Sequence, residues 1–153
     1  MVMPAPDDRR EGRAPRLLLV EDDRTNQVVA AALLAKLGYT IDVADDGNAA
    51  VAAVRMQSYD AVLMDLAMPE MDGLAATHAI RALPPPKGRV PIIALTANAM
   101  LGASEEYLAA GMNDYVSKPI DASQLRAKLE RLAAARAERM TTPASGTIRA
   151  AGS

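Results

Sequence analysis

Residues 61–65 read AVLMD, four apolar side chains in succession and then a carboxylate. A half-exposed strand alternates apolar with polar residues, whereas an unbroken apolar run suits a strand covered on both faces, as in a parallel sheet. Working outward, similar short runs occur at Arg16–Val20 (RLLLV), Thr40–Ala44 (TIDVA), Val90–Thr96 (VPIIALT) and Asp114–Ser117 (DYVS). Helical spacing separates them: Val29, Ala32, Leu33 and Leu37 form the expected buried stripe of the first helix, Ala50 and Val54 that of the second, and Leu125, Leu129 and Leu132 that of the last. Gly38 has the position of a helix-ending residue, and Asp121 followed by Gln124 resembles a capping box. Strands alternating with helices predict an α/β fold: a parallel sheet covered on both faces with right-handed crossovers.

The general composition limits what such a fold could do. With 153 residues, 50% of them hydrophobic, the chain has material for one well-buried core and not for two ordinary domains. The absence of Cys excludes a disulfide framework, a thiolate metal site and a Cys nucleophile, and suits a reducing cytoplasm. A formal net charge of -2 offers no general attraction to nucleic acid or anionic lipid, so neither is expected as a partner. The opening MVMPAPDDRREGRAP has acids and prolines where a secretory signal needs an apolar core, and no later run approaches the ~20 apolar residues of a membrane span. We therefore expect a cytoplasmic chain without membrane insertion. Residues 1–15 and 139–153 are rich in Pro, Gly and small polar or charged residues and read as flexible tails or linkers, leaving residues 16–138 as the ordered domain.

In an open parallel sheet, ligand chemistry belongs at the carboxyl ends of the strands. The polar residues fall there. Glu21, Asp22 and Asp23 follow the first strand, Asp65 ends the third, Thr96 ends the fourth, and Lys118 with Pro119 follows the fifth. Crowded carboxylates repel one another and resist desolvation, so a fold that gathers them usually does so around a hard cation. Mg2+ accepts a few carboxylates while keeping positions for water and phosphate oxygens, whereas no Cys and a single His argue against zinc. An aspartate in such a place can attack phosphorus to give an acyl phosphate, and a Lys can act as a point charge toward the phosphoryl oxygens.

LVEDD (19–23), MDLAMPEMDG (64–73), ALTA (94–97) and DYVSKP (114–119) together resemble the signature blocks of response-regulator receiver domains. The likeness spans roughly Arg16 to Arg136, with the blocks in order at compatible spacings. It implies a flavodoxin-like sheet of strand order 2-1-3-4-5 with five helices, a phosphoacceptor rather than a turnover enzyme, and Mg2+ as cofactor. By the same resemblance Asp65 is the phosphoacceptor, Glu21, Asp22, Asp65 and the backbone carbonyl of Ala67 hold the metal, and Lys118 contacts the phosphate. Thr96 and Tyr115 form the switch, and Pro119 follows a cis peptide bond. Asp23 takes a supporting role. The implied partners are a histidine kinase or a histidine phosphotransfer protein, with a phosphorylation-dependent dimer as one possible response. DRTNQV (23–28), ALTANAM (94–100) and the segment ending in DYVSKPI look most like receivers of hybrid histidine kinases.

Each residue also has an ordinary reading. The acids after the first strand could be a solvated helix N-cap, Asp65 a polar strand end, Thr96 a β-branched strand residue, Lys118 a surface charge and Tyr115 a half-buried ring. Their joint occurrence at strand ends is what favours the site. His78 lies mid-helix outside every block and is expected to be a surface or packing residue, and Met64, Met68 and Met71 to pack. An aspartyl-nucleophile phosphatase would carry a second acid two residues after the nucleophile, where Leu66 and Ala67 follow Asp65. A flavin-binding flavodoxin would need a Ser/Thr/Gly-rich loop where EDDRTN stands, and a non-phosphorylated pseudo-receiver normally lacks one of the key residues, all present here.

Overall fold

The computed structural model describes residues 15–66, 73–96 and 103–135. In chain order the elements are β1 (Arg16–Val20), α1 (Arg24–Lys36), β2 (Thr40–Ala44), α2 (Gly47–Met56), β3 (Ala61–Asp65), α3 (Gly73–Arg81), a 3-10 turn (Lys87–Arg89), β4 (Ile92–Thr96), α4 (Ala103–Ala110), β5 (Asp114–Ser117) and α5, described over residues 122–135. All five strands are parallel, in the order β2-β1-β3-β4-β5. That is the order the family resemblance implies.

Strand alternation divides the core in two. Leu18, Val20, Val62, Met64, Ile92 and Ala94 face α2, α3 and α4, meeting Ala50, Val54, Ala76, Ile80 and Tyr107. Leu17, Leu19, Leu63, Ile93, Leu95 and Val116 face α1 and α5, meeting Ala30, Leu34, Leu125 and Leu129. Because both faces are covered, β3 and β4 are buried along their whole length, which is why AVLMD and IIALT carry no alternation. Each fully buried Leu or Ile contributes roughly 1.5–3 kcal/mol of transfer free energy. The edge strand β2 is only partly covered and carries a polar residue in its middle, Asp42, which accepts from Arg16 and from the Tyr59 hydroxyl.

Two expectations are corrected. The fourth strand begins at Ile92, not Val90, because Pro91 has no N–H for the ladder and the Val90 N–H is spent on Lys87 of the preceding turn. The buried stripe of α1 is Gln27, Ala30 and Leu34, with Leu37 packed beside them, instead of Val29, Ala32, Leu33 and Leu37. Val28 and Val29 stand 59% and 63% exposed. This helix carries apolar residues on more than one face, so hydrophobicity does not set its rotation. Gln27 does: its amide donates to the Glu21 carbonyl at 2.6 Å and to Asp45 Oδ1 at 2.7 Å, drawing that face inward.

The expected helix ends are present. Gly38 has φ 98°, a left-handed conformation that costs glycine little, and Asp121 accepts the Gln124 N–H at 3.1 Å. Among the described residues no helix is long and apolar enough to cross a membrane.

Candidate functional site

The end of β1 is fixed by its neighbours. The Glu21 N–H donates to the Ala44 carbonyl at the end of β2, and the Glu21 carboxylate turns back to accept the Asp23 N–H at 3.2 Å. Asp23 caps α1 by accepting the Asn26 N–H at 3.1 Å, which gives its supporting role a physical content. Asp22 is left exposed between them. Asp65 ends β3 with 2% exposure. One carboxylate oxygen from each of Glu21, Asp22 and Asp65 lies within 4.8 Å of the others.

Lys118 completes this cluster. Its backbone N–H donates to the Thr96 carbonyl at 2.8 Å, which seats the residue against the end of β4. Its Nζ then reaches Asp65 Oδ1 at 3.2 Å and Glu21 Oε1 at 3.4 Å. Burial pulls the ammonium toward losing its proton, but the charges of Asp65 and Glu21 outweigh this and hold it above its usual range. Burial pushes the Glu21 carboxyl up, against the lowering by the Asp23 N–H; the Asp65 charge adds to the rise. One ammonium therefore contacts two of the three gathered carboxylates. Hard oxygen donors gathered on one open rim, short of positive charge, fit a divalent cation of the Mg2+ kind.

Gly73 lets α3 start against this region. A Cβ there would lie 2.6 Å from Leu66 Cδ2 and 2.9 Å from the Asp65 carbonyl oxygen, so only glycine permits the helix to approach the end of β3 this closely.

The opposite side of the rim is aromatic. The Thr96 hydroxyl, 5% exposed, lies 3.0 Å from the Tyr107 hydroxyl of α4. The rings of Tyr107 and Tyr115 meet edge to face with centroids 6.2 Å apart. Lys128 of α5 stands 5.0 Å above the Tyr115 ring and donates to Asp114 Oδ1 and the Tyr115 carbonyl.

Thus Glu21, Asp22, Asp65 and Lys118 come together, while Thr96 and Tyr115 join a second group centred on Tyr107. The Lys118–Pro119 bond is cis. Ala67, Met68 and Met71 lie outside the described residues, whereas Met64 is buried core and His78 is exposed on α3. Sequence reading missed Tyr107, Gln27 and Lys128. Tyr107 had a signal of a kind, an aromatic hydroxyl on the helix after β4; Lys128 had none, since its contacts with Asp114 and Tyr115 cross from one element to another.

The family model for the response regulator receiver domain matches residues 17–130. The sensor protein GacS of Pseudomonas syringae pv. syringae is 44% identical over 115 residues, which cover 74% of this chain and 13% of GacS. The chain thus spans a small fraction of the curated relatives it matches. Among solved structures, the receiver domain of the sensor histidine kinase PA1611 from Pseudomonas aeruginosa PAO1, with a magnesium ion coordinated in its active site cleft, is 47% identical at a TM-score of 0.73, covering 79% of this chain and 98% of that one. The receiver domain of Ssk1 from Saccharomyces cerevisiae, crystallised with the histidine phosphotransfer protein Ypd1, is 26% identical at a TM-score of 0.71, covering 80% and 91%. With the fold, the acid cluster and these matches together, the chain belongs to the response regulator receiver domain family.

Proposed function

We propose that the chain accepts a phosphoryl group on Asp65 from a phosphohistidine of a histidine kinase or a histidine phosphotransfer protein. The observation that carries this reading is the placement of Lys118 Nζ between Asp65 and Glu21, with Asp22 beside them. An Asp65 carboxylate oxygen attacks phosphorus, the P–N bond breaks, and its electron pair returns to the imidazole nitrogen of the donor. Lys118 carries the positive charge that the phosphoryl oxygens meet, and its contacts with both carboxylates keep that charge at the attacking side. Glu21, Asp22, Asp65 and the Ala67 carbonyl are the groups we assign to Mg2+. Bound there, Mg2+ would supply charge neutralisation for the carboxylates and the phosphoryl group.

The product is an aspartyl phosphate, so the chain works as a phosphoacceptor and not as a turnover enzyme. We assign this activity to residues 16–138 and to the cytoplasm. The magnesium-bound relative and the relative crystallised with a phosphotransfer protein support the cofactor and the donor class. We assign the Thr96 hydroxyl as a donor to a phosphoryl oxygen on Asp65, and Thr96 with Tyr115 to the response, on the face formed by α4, β5 and α5.

Incubation with a small phosphodonor and Mg2+ should add one phosphoryl mass to the chain, and Asp65→Asn should abolish it. Labelling that persists in Asp65→Asn would overturn the assignment.

A further inference from the structure

In the register of the sheet Asp65 pairs with Leu95, and Thr96 is the next residue along β4. Alternation sends Leu95 toward the α1 and α5 side. Thr96 follows Ala94, whose register partner is Tyr115, onto the α4 side. There its hydroxyl meets Tyr107 at 3.0 Å, in a place where both side chains are nearly closed to water.

A threonine hydroxyl has one proton to donate. If that proton goes to Tyr107, it is not available to a phosphoryl oxygen on Asp65. If Tyr107 is the donor, its proton occupies a lone pair of Thr96 and holds the same side-chain rotation. Either arrangement keeps the hydroxyl on the α4 side. The Tyr107 ring is held in turn by its edge-to-face contact with Tyr115, which Lys128 covers.

We infer that Tyr107 is a positioning residue that holds the Thr96 hydroxyl in the resting state, so that every phosphorylation must first give up the Thr96–Tyr107 hydrogen bond. The inference rests on the reading of Thr96 as the hydroxyl that meets the phosphoryl group. Its consequence is a bias toward the unswitched form, set by α4 and not by the acid cluster. Tyr107→Phe removes the hydroxyl and keeps the ring, so packing on Tyr115 is retained while the competing bond is lost.

The test titrates beryllofluoride, in saturating Mg2+, into the full chain and its Tyr107→Phe, Thr96→Ala and doubly substituted variants, following backbone amide signals. Mg2+ affinity without beryllofluoride is measured in parallel. Tyr107→Phe should tighten beryllofluoride binding about three- to tenfold, the range set by one net hydrogen bond, with Mg2+ affinity unchanged. In the Thr96→Ala background the same substitution should have no effect. Unchanged or weaker beryllofluoride binding by Tyr107→Phe, or an equal gain without Thr96, would overturn the inference. So would a matching change in Mg2+ affinity, which would route the effect through the carboxylates. If Thr96→Ala itself leaves beryllofluoride binding untouched, the switch reading falls and this inference with it; if Thr96→Ala weakens binding and Tyr107→Phe does nothing, only the inference falls. Should Tyr107→Phe lose its native amide dispersion, the Tyr107 ring-carbon signal next to the hydroxyl in the unsubstituted chain, which reports its hydrogen bond, should shift on saturation with beryllofluoride, and an unchanged signal overturns the inference.

Discussion

Two partly buried cations sit in opposite kinds of surroundings. Arg81, at the end of α3, donates to the carbonyls of Gly111, Gly88 and Val90 at 2.7–2.8 Å and to Asn113 Oδ1 at 2.9 Å. All four acceptors are neutral. Lys118 instead faces the carboxylates of Asp65 and Glu21 at 3.2 and 3.4 Å, with Asp22 close by. Burial draws the Arg81 guanidinium below its usual range, whereas for Lys118 the same pull is overcome by the two acids. Fixed dipoles at short distances make Arg81 a clamp joining α3, the 3-10 turn and the approach to β5. An ammonium outnumbered by carboxylates makes the other region one that gains from added positive charge and then from an anion.

Breaking the clamp should have the largest effect on stability. Arg81→Ala leaves the carbonyls of buried Gly88 and Val90, and two less buried acceptors, without their donor and should cost about 3 kcal/mol in urea unfolding. Arg81→Lys should recover little of this, because an ammonium cannot reproduce the fork of the guanidinium. A loss under about 1 kcal/mol would remove the distinction between the two cations.

Adding charge to the acid region should come next. At a free Mg2+ concentration 100 times its Kd the protein should gain about 2.7 kcal/mol, read as a shift of the unfolding midpoint. The gain should persist in Arg81→Ala, since the clamp takes no part in the site, and should vanish in Asp22→Ala. A full gain in Asp22→Ala would remove that residue from the ligands.

Each region also depends on a glycine, and these sharpen the comparison further. Gly73→Ala, whose Cβ would press on Leu66 and the Asp65 carbonyl, should cost about 1–3 kcal/mol and also weaken Mg2+ binding. Gly88→Ala, whose Cβ would lie 2.1 Å from the Leu83 carbonyl oxygen, should destabilise at least as much and leave Mg2+ affinity unchanged. Thermal unfolding with and without Mg2+ separates the two, and equal Mg2+ responses would show that the close approach of α3 does not shape the site. The smallest effect belongs to Asp22→Ala without divalent ions. Removing one of three crowded carboxylates should leave stability unchanged or slightly raised, and a clear loss would mean that Asp22 supports the fold.

Much of this was legible along the chain. AVLMD and RLLLV announce covered strands through an unbroken apolar run, and the residues just beyond them announce a site because charge at the end of such a run has nowhere else to go. Those signals are local, so they survive without coordinates. The rotation of α1 was not legible, because valine and leucine line several of its faces and the choice among them falls to the Gln27 amide, which bonds Glu21 and Asp45. Arg81 drew no notice in the sequence, since its acceptors lie 7 to 32 residues away and are mostly backbone oxygens with no signature of their own. Tyr107 meets Thr96 only because α4 folds back over β4. Local pattern specifies which segments become strands and which residues stand at their ends; the hydrogen bonds that cross between elements specify how each helix is turned, and those partners exist only once the chain has closed on itself.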